Sequence, residues 1–156
     1  MATQSPAGKD IVLIADDNAS LRATIVKFFG LEGIRTVQAG DGEMALSEAM
    51  RVQPSVVLLD IEMPAMDGLT AAKLMIDLPW RPKIILMSGF GDSVHLANKA
   101  ELNVFAVLEK PVPLKPLARF VWAALENCAP ANCCYRISIR RGVWAALENC
   151  APANLL

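Results

Sequence analysis

The chain has 156 residues, a formal net charge of −1 and a hydrophobic content of 54%. This length suits one domain with its own core, and the composition excludes an intrinsically disordered chain. The near-neutral charge provides no basic surface for nucleic acid or an anionic membrane. The polar N-terminus does not resemble a signal peptide, and no apolar run approaches the length of a membrane span. We therefore expect a cytoplasmic protein that binds neither nucleic acid nor membranes.

Five short apolar segments recur along the chain: IVLIA (11–15), IRTVQA (34–39), SVVLLD (55–60), KIILMS (83–88) and VFAVL (104–108). Most are nearly continuous rather than alternating, which is typical of strands buried on both faces of a parallel sheet. Arg35 and Gln38 interrupt the second segment, so we predict that it forms an edge strand.

Segments with helical spacing separate these strands. Apolar residues fall on one helical face within 21–29, 71–78 and 117–125. Asp41 and Asp67 are suitable N-caps, and Gly33 follows the first helix where a C-terminal turn is needed. Five successive βα units predict an α/β fold, with right-handed crossovers and an open, doubly wound parallel sheet.

The C-terminal part of the chain is unusual. We predict a domain at residues 9–128, preceded by a disordered lead at 1–8 and followed by a tail at 129–156. The segment VWAALENCAPAN at 121–132 recurs unchanged at 143–154. Because a solenoid needs at least three units, two identical copies indicate a recent duplication or a cloning artefact rather than a repeat fold. The four cysteines all follow residue 127, and their spacing matches no zinc-ligand pattern.

Polar side chains stand at the carboxyl ends of the predicted strands. Asp16 and Asp17 follow the first, Asp60 ends the third, Ser88 ends the fourth and Lys110 follows the fifth. In an open parallel sheet, sites form at this edge, so these side chains are expected to converge. Clustered carboxylates repel one another unless a cation joins them, and oxygen ligands favour Mg²⁺ over zinc.

This arrangement indicates phosphoryl chemistry. Asp60 would be the nucleophile, because a carboxylate can accept a phosphoryl group as an aspartyl phosphate. Mg²⁺ and Lys110 would offset the charge on the transferred oxygens, and Ser88 would hydrogen-bond to one of them.

Four motifs carry a resemblance to a known family: ADDN (15–18), LLDIEMPAMDG (58–68), MSGF (87–90) and EKP (109–111). In this order on five βα units, they resemble the receiver domain of two-component response regulators. The resemblance implies a flavodoxin-like fold with strand order 2-1-3-4-5 and Mg²⁺ as the cofactor. It also implies a signalling switch rather than an enzyme, apart from its own phosphorylation and dephosphorylation.

The resemblance also implies a role for each site residue. Asp60 would be the phosphoacceptor, with Ser88 and Lys110 as its catalytic partners. Asp17 would bind the metal directly and Asp16 through water, while Asp60 and the backbone carbonyl of Glu62 would complete the protein's ligands. A cis peptide between Lys110 and Pro111 would turn the lysine into the site.

The expected partners follow from the same resemblance. A histidine kinase or histidine phosphotransfer protein would supply the phosphoryl group, and an unidentified downstream protein would receive the signal. Since the length leaves no room for an output domain, we expect a stand-alone receiver. Its output would be a partner bound on the surface made by the fourth predicted helix, the fifth strand and the last helix, or a phosphoryl group passed onward in a relay. A homodimer is a further assembly that we consider.

One departure from the family pattern keeps an alternative function open. Family members usually carry an aromatic residue three positions before the lysine, where this chain has Val107. Phe105, two residues earlier, is predicted to lie on the same face of the strand and to replace the missing aromatic residue. If the aromatic coupling is lost, the chain would be a constitutive, non-phosphorylated interaction module. A Mg²⁺-dependent phosphohydrolase with Glu62 as its general acid is the third hypothesis.

Overall fold

The structure, a computed structural model, describes residues 10–89 and 102–126. Its strands are β1 (Ile11–Ala15), β2 (Arg35–Ala39), β3 (Val56–Asp60), β4 (Lys83–Ser88) and β5 (Ala106–Glu109). Its helices are α1 (Ala19–Leu31), α2 (Gly42–Val52), α3 (Gly68–Ile76) and α4 (Leu114–Leu125). The predicted helix between β4 and β5, the lead at 1–8 and the tail at 129–156 lie outside the described residues.

The five strands form one sheet in the order β2-β1-β3-β4-β5, and every neighbouring pair is parallel. This confirms the predicted α/β fold and its strand order. β2 lies at one edge, with Arg35 and Gln38 exposed, as its interrupted apolar pattern predicted. None of the described helices is long and apolar enough to cross a membrane.

Two hydrophobic layers cover the two faces of the sheet. Alternate residues of each central strand enter opposite layers: Val12 and Ile14 of β1 contact one, and Leu13 and Ala15 the other. α1 and α4 cover the first face, which we call the α1/α4 layer, and α2 and α3 cover the second, the α2/α3 layer. Burial on both faces explains the continuous apolar runs, because neither set of side chains meets water.

Local capping determines where the helices begin and end. The carboxylates of Asp41 and Asp67 accept hydrogen bonds from the backbone N–H of Met44 at 2.7 Å and of Thr70 at 2.8 Å. Both predicted N-caps are thus confirmed. Gly33 follows α1 with a φ of 77°, a conformation that glycine adopts without a steric penalty. It ends the helix in a Schellman turn, in which the N–H of Ile34 donates to the carbonyl of Phe29 at 2.9 Å.

The prediction that Phe105 shares a face with Val107 is wrong. β5 begins at Ala106, and Phe105 lies in the bend before it, so the alternation of the strand does not extend to this residue. Phe105 packs against the α1/α4 layer, whereas Val107 packs against the α2/α3 layer. The phenyl ring therefore does not replace the missing aromatic side chain on the face of Val107.

Candidate functional site

The register of the sheet brings four strand ends together. Parallel pairing aligns them in the pairs Ala15 with Leu59, Asp60 with Met87, and Ser88 with Glu109. Asp16 therefore leaves β1 beside the end of β3, and Lys110 leaves β5 beside the end of β4. The convergence expected from the sequence is present at this edge of the sheet.

Three carboxylates form the centre of the site. One oxygen from each of Asp16, Asp17 and Asp60 lies within 4.8 Å of the others. Asp16 is 0% exposed and Asp60 is 3% exposed, while Asp17 lies at the surface. Two acids held out of water with a third at the opening make a pocket that is strongly negative and accessible from one side.

Lys110 contributes the positive charge of the site. Its Nζ lies 2.6 Å from Oδ2 of Asp16 and 3.1 Å from Oδ2 of Asp60. Its backbone N–H donates to the carbonyl of Ser88 at 2.6 Å, and its peptide bond to Pro111 is cis, as predicted. Ser88 itself is fully buried at the end of β4.

Hydrogen bonds hold Asp16 in one orientation. Its Oδ1 accepts from the N–H of Asn18 at 2.8 Å, and its own N–H donates to the carbonyl of Ala39 at 3.2 Å. Nη1 of Arg22 donates to the carbonyl of Asp16 at 2.5 Å. The sequence patterns do not single out Arg22. The one feature that could have indicated it is its position in α1 as the first charged residue after the acid pair.

The loop that follows β3 holds the end of this strand in place. The N–H of Glu62 donates to Oδ1 of Asp60 at 3.1 Å, and the N–H of Gly68 donates to the carbonyl of Ile61 at 2.9 Å. A Cβ on Gly68 would lie 2.1 Å from the backbone oxygen of Asp60. The start of α3 therefore packs directly against the backbone that carries Asp60, and only glycine allows this approach. The side chain of Glu62 is exposed.

Burial and charge shift two pKa values in the site. Burial raises the pKa of Asp60 above its ordinary value, although the hydrogen bonds from Lys110 and from the N–H of Glu62 act in the opposite direction. Burial also disfavours the charge on Lys110, but hydrogen bonds to Asp16 and Asp60 outweigh it and raise the pKa of the lysine. Lys110 is therefore a permanent cation at neutral pH.

The residues present fit a hard divalent cation. The donor atoms of the acidic cluster are all carboxylate oxygens, which Mg²⁺ prefers, and the nearby Lys110 balances only part of their charge. Asp17 lies at the exposed side of the cluster, where an ion could enter from solvent with water ligands still attached.

Fold and site together define a doubly wound α/β protein with an acidic pocket at the carboxyl edge of its parallel sheet. The family model of the response regulator receiver domain matches residues 12–121. The chain belongs to this family, whose members are signalling domains of two-component systems.

Individual relatives agree with this assignment. The chain is 32% identical over 100 residues to the sporulation initiation phosphotransferase F of Bacillus subtilis, which covers 64% of this chain and 81% of that protein. It is 34% identical over 115 residues to the regulatory protein AtoC of Escherichia coli, which covers 74% of this chain but only 25% of AtoC. A CheY-like receiver structure from Methanospirillum hungatei has the same fold, with a TM-score of 0.71 and 20% identity over 77% of this chain and 96% of that one.

Proposed function

We propose that this receiver is a phosphorylation-dependent switch in which Asp60 accepts a phosphoryl group from a histidine kinase or a histidine phosphotransfer protein. The observation that carries the proposal is the position of Asp60, which is buried beside two further carboxylates and one ammonium group at the carboxyl edge of the sheet. A carboxylate in such a pocket is shielded from water but faces the charges that phosphoryl transfer requires.

The transfer is a single displacement at phosphorus. A carboxylate oxygen of Asp60 forms a bond to phosphorus, the bond from phosphorus to the donor nitrogen breaks, and its electron pair leaves with the donor histidine. The Lys110 ammonium is close enough to Asp60 to pair with the charge of the incoming oxygens. The Ser88 hydroxyl would donate to one of these oxygens.

Mg²⁺ is the cofactor of this proposal. Asp17, Asp60 and the backbone carbonyl of Glu62 would hold the ion directly, and Asp16 would hold it through water. When bound, the ion would neutralise charge that builds up on the phosphoryl oxygens. Because each ligand is oxygen, the site would select a hard cation over zinc.

The output would be a protein contact. We propose a cytoplasmic receiver domain at residues 9–128 that binds neither DNA nor membranes and has no catalytic activity beyond its own phosphorylation and dephosphorylation. Trp122 on α4 is 39% exposed, and this large apolar side chain suits the binding of a downstream protein or of a second copy.

The direct test is phosphorylation in the absence of any partner. The chain and its Asp60→Asn variant would be incubated with Mg²⁺ and acetyl phosphate and weighed by intact mass spectrometry. We expect the mass of one phosphoryl group on the parent chain and none on the variant. A folded parent that binds Mg²⁺ but gains no mass would contradict the proposal.

One observation favours the constitutive interaction module as a second candidate. Val107 packs in the α2/α3 layer, and Phe105 lies on the other layer. The described part of β5 thus offers no aromatic ring on the Val107 face to couple the site to the surface of α4. Partner binding that is unchanged by Asp60→Asn, together with no phosphorylation of the parent, would identify this function.

A further inference from the structure

Arg22 connects two loops behind the acidic cluster. It lies in the first part of α1, and its Nη1 donates to the backbone carbonyl of Asp16 at 2.5 Å. The guanidinium rests against Gly40 of the β2–α2 loop, where a Cβ would lie 3.6 Å from Nη1. The same loop supplies Ala39, whose carbonyl accepts from the N–H of Asp16 at 3.2 Å. Arg22 therefore packs at the junction that holds the end of β1.

The carbonyl that Arg22 binds belongs to the peptide between the two acids. A hydrogen bond to this oxygen restricts rotation of the peptide plane from which the Asp17 residue continues. Asp16 is held on its other sides by Asn18, Ala39 and Lys110. Asp17 lies at the surface. The orientation of the peptide that joins it to Asp16 therefore helps to determine where the Asp17 carboxylate lies.

The side chain of Arg22 is placed at a cost. Its Nε is buried and has no hydrogen-bond partner within the described parts of the chain. A buried donor without a partner destabilises a fold. A positive charge near a cation site also repels the cation. Both effects oppose this placement, and the contact that favours it is the hydrogen bond from Nη1 to the carbonyl of Asp16, which restricts the geometry of that peptide.

We infer that Arg22 is a positioning residue, which orients the peptide between Asp16 and Asp17 so that both acids can bind a divalent cation. This inference rests on the proposed function, because it concerns the same Mg²⁺ site. Residues that orient metal ligands without touching the metal typically change its affinity by about 10- to 100-fold when they are replaced.

The test is Mg²⁺ binding to the metal-free full chain, measured by isothermal titration calorimetry under conditions where every variant is folded. Arg22→Met keeps the length of the side chain but removes its donors, and Arg22→Lys keeps one donor. Lys27→Met is the matched control, because it removes one positive charge from the exposed face of the same helix.

The direction in which the Mg²⁺ affinity changes distinguishes a positioning role of Arg22 from an effect of its charge. We expect Arg22→Met to weaken Mg²⁺ binding by about 10- to 100-fold, Arg22→Lys to weaken it less, and Lys27→Met to leave it unchanged. If charge alone mattered, removing the guanidinium would strengthen binding. Equal or tighter binding by Arg22→Met therefore overturns the inference; should that variant not fold, parent-like affinity of Arg22→Lys does so.

The two proposals can fail separately. A parent that binds Mg²⁺ but accepts no phosphoryl group on Asp60 would remove the proposed function and leave the role of Arg22 intact. A parent that is phosphorylated and binds Mg²⁺, with Arg22→Met unchanged in affinity, would do the reverse. If the role of Arg22 were purely structural, Arg22→Met would lower the free energy of unfolding without changing the affinity of the folded protein for Mg²⁺. This outcome also overturns the inference.

Discussion

Nζ of Lys110 lies 2.6 Å from Oδ2 of Asp16, although 94 positions separate the two residues in the chain. The contact reaches from the end of β5 to the end of β1, with β3 and β4 between them in the sheet. On this path the ammonium also comes within 3.1 Å of Asp60. One lysine thus balances two buried carboxylates that would otherwise face each other.

Replacing Lys110 by methionine should destabilise the metal-free protein. The substitution leaves the buried Asp16 and Asp60 without their cation, and breaking a buried pair in this way costs about 3 kcal/mol. Urea unfolding in the presence of a chelator would measure the loss. Saturating Mg²⁺ should recover part of it, because the ion supplies positive charge at the same carboxylates.

The matched control for this variant is Lys115→Met. Lys115 is exposed at the start of α4, so its loss should change the free energy of unfolding by no more than about 0.5 kcal/mol. If both lysine variants were equally stable in the chelator, the ion pairs of Lys110 would not be important for the metal-free fold.

The raised pKa of Asp60 predicts a pH-dependent effect of Asp60→Asn. Burial raises this pKa above 3.8, so as pH increases the unfolded chain releases its proton before the folded protein does. The parent therefore loses stability as the pH rises through the interval between 3.8 and the raised pKa, and the asparagine variant does not. In metal-free buffer at neutral pH, we expect the variant to unfold at the higher temperature.

Two further measurements check the origin of this gain. Below the interval the carboxyl group is protonated in both states, so the difference between parent and variant should shrink towards zero. Mg²⁺ should reverse the order at neutral pH, because it stabilises the parent by binding and the variant lacks one carboxylate ligand. A variant that is less stable than the parent in a chelator at pH 7 would show that pairing with Lys110 outweighs burial at Asp60.

Much of the site could be predicted because parallel strands end at a common edge. Once the apolar runs of β1, β3 and β5 are recognised, the polar residues at their carboxyl ends are expected to meet, and Asp16, Asp60 and Lys110 do so in the structure. The edge position of β2 could be predicted because Arg35 and Gln38 interrupt its apolar run, and both residues are exposed in the structure.

One wrong prediction and one missed contact depend on loop geometry, which the hydrophobic periodicity of the sequence does not specify. The prediction for Phe105 is wrong because β5 begins two residues after the start of the apolar run, and Phe105 lies in the bend before the strand. The contact of Arg22 with Asp16 depends on how the loop at Gly40 returns to the end of β1. Such contacts require the positions of two loops in space, which neither loop sequence specifies alone.

The N-cap of α2 offers a test with an isosteric control. The Asp41 carboxylate accepts from the N–H of Met44 at 2.7 Å, so Asp41→Ala should lower the free energy of unfolding by about 1 kcal/mol. Asp41→Asn keeps an acceptor oxygen and should lose much less. Equal losses in the two variants would show that the charge near the helix N-terminus, rather than the capping hydrogen bond, is the stabilising feature.

Gly68 and Gly30 should respond oppositely to alanine. A Cβ on Gly68 would lie 2.1 Å from the backbone oxygen of Asp60, which cannot move aside without displacing the site, whereas a Cβ on Gly30 in α1 meets nothing within 4 Å. Gly68→Ala should therefore destabilise the protein by about 1 to 3 kcal/mol, and Gly30→Ala should stabilise it by about 0.5 to 1 kcal/mol. Chemical unfolding of both variants measures these changes, and Mg²⁺ titration shows whether Asp60 has shifted. A fully stable Gly68→Ala protein would mean that α3 does not press against the backbone of Asp60.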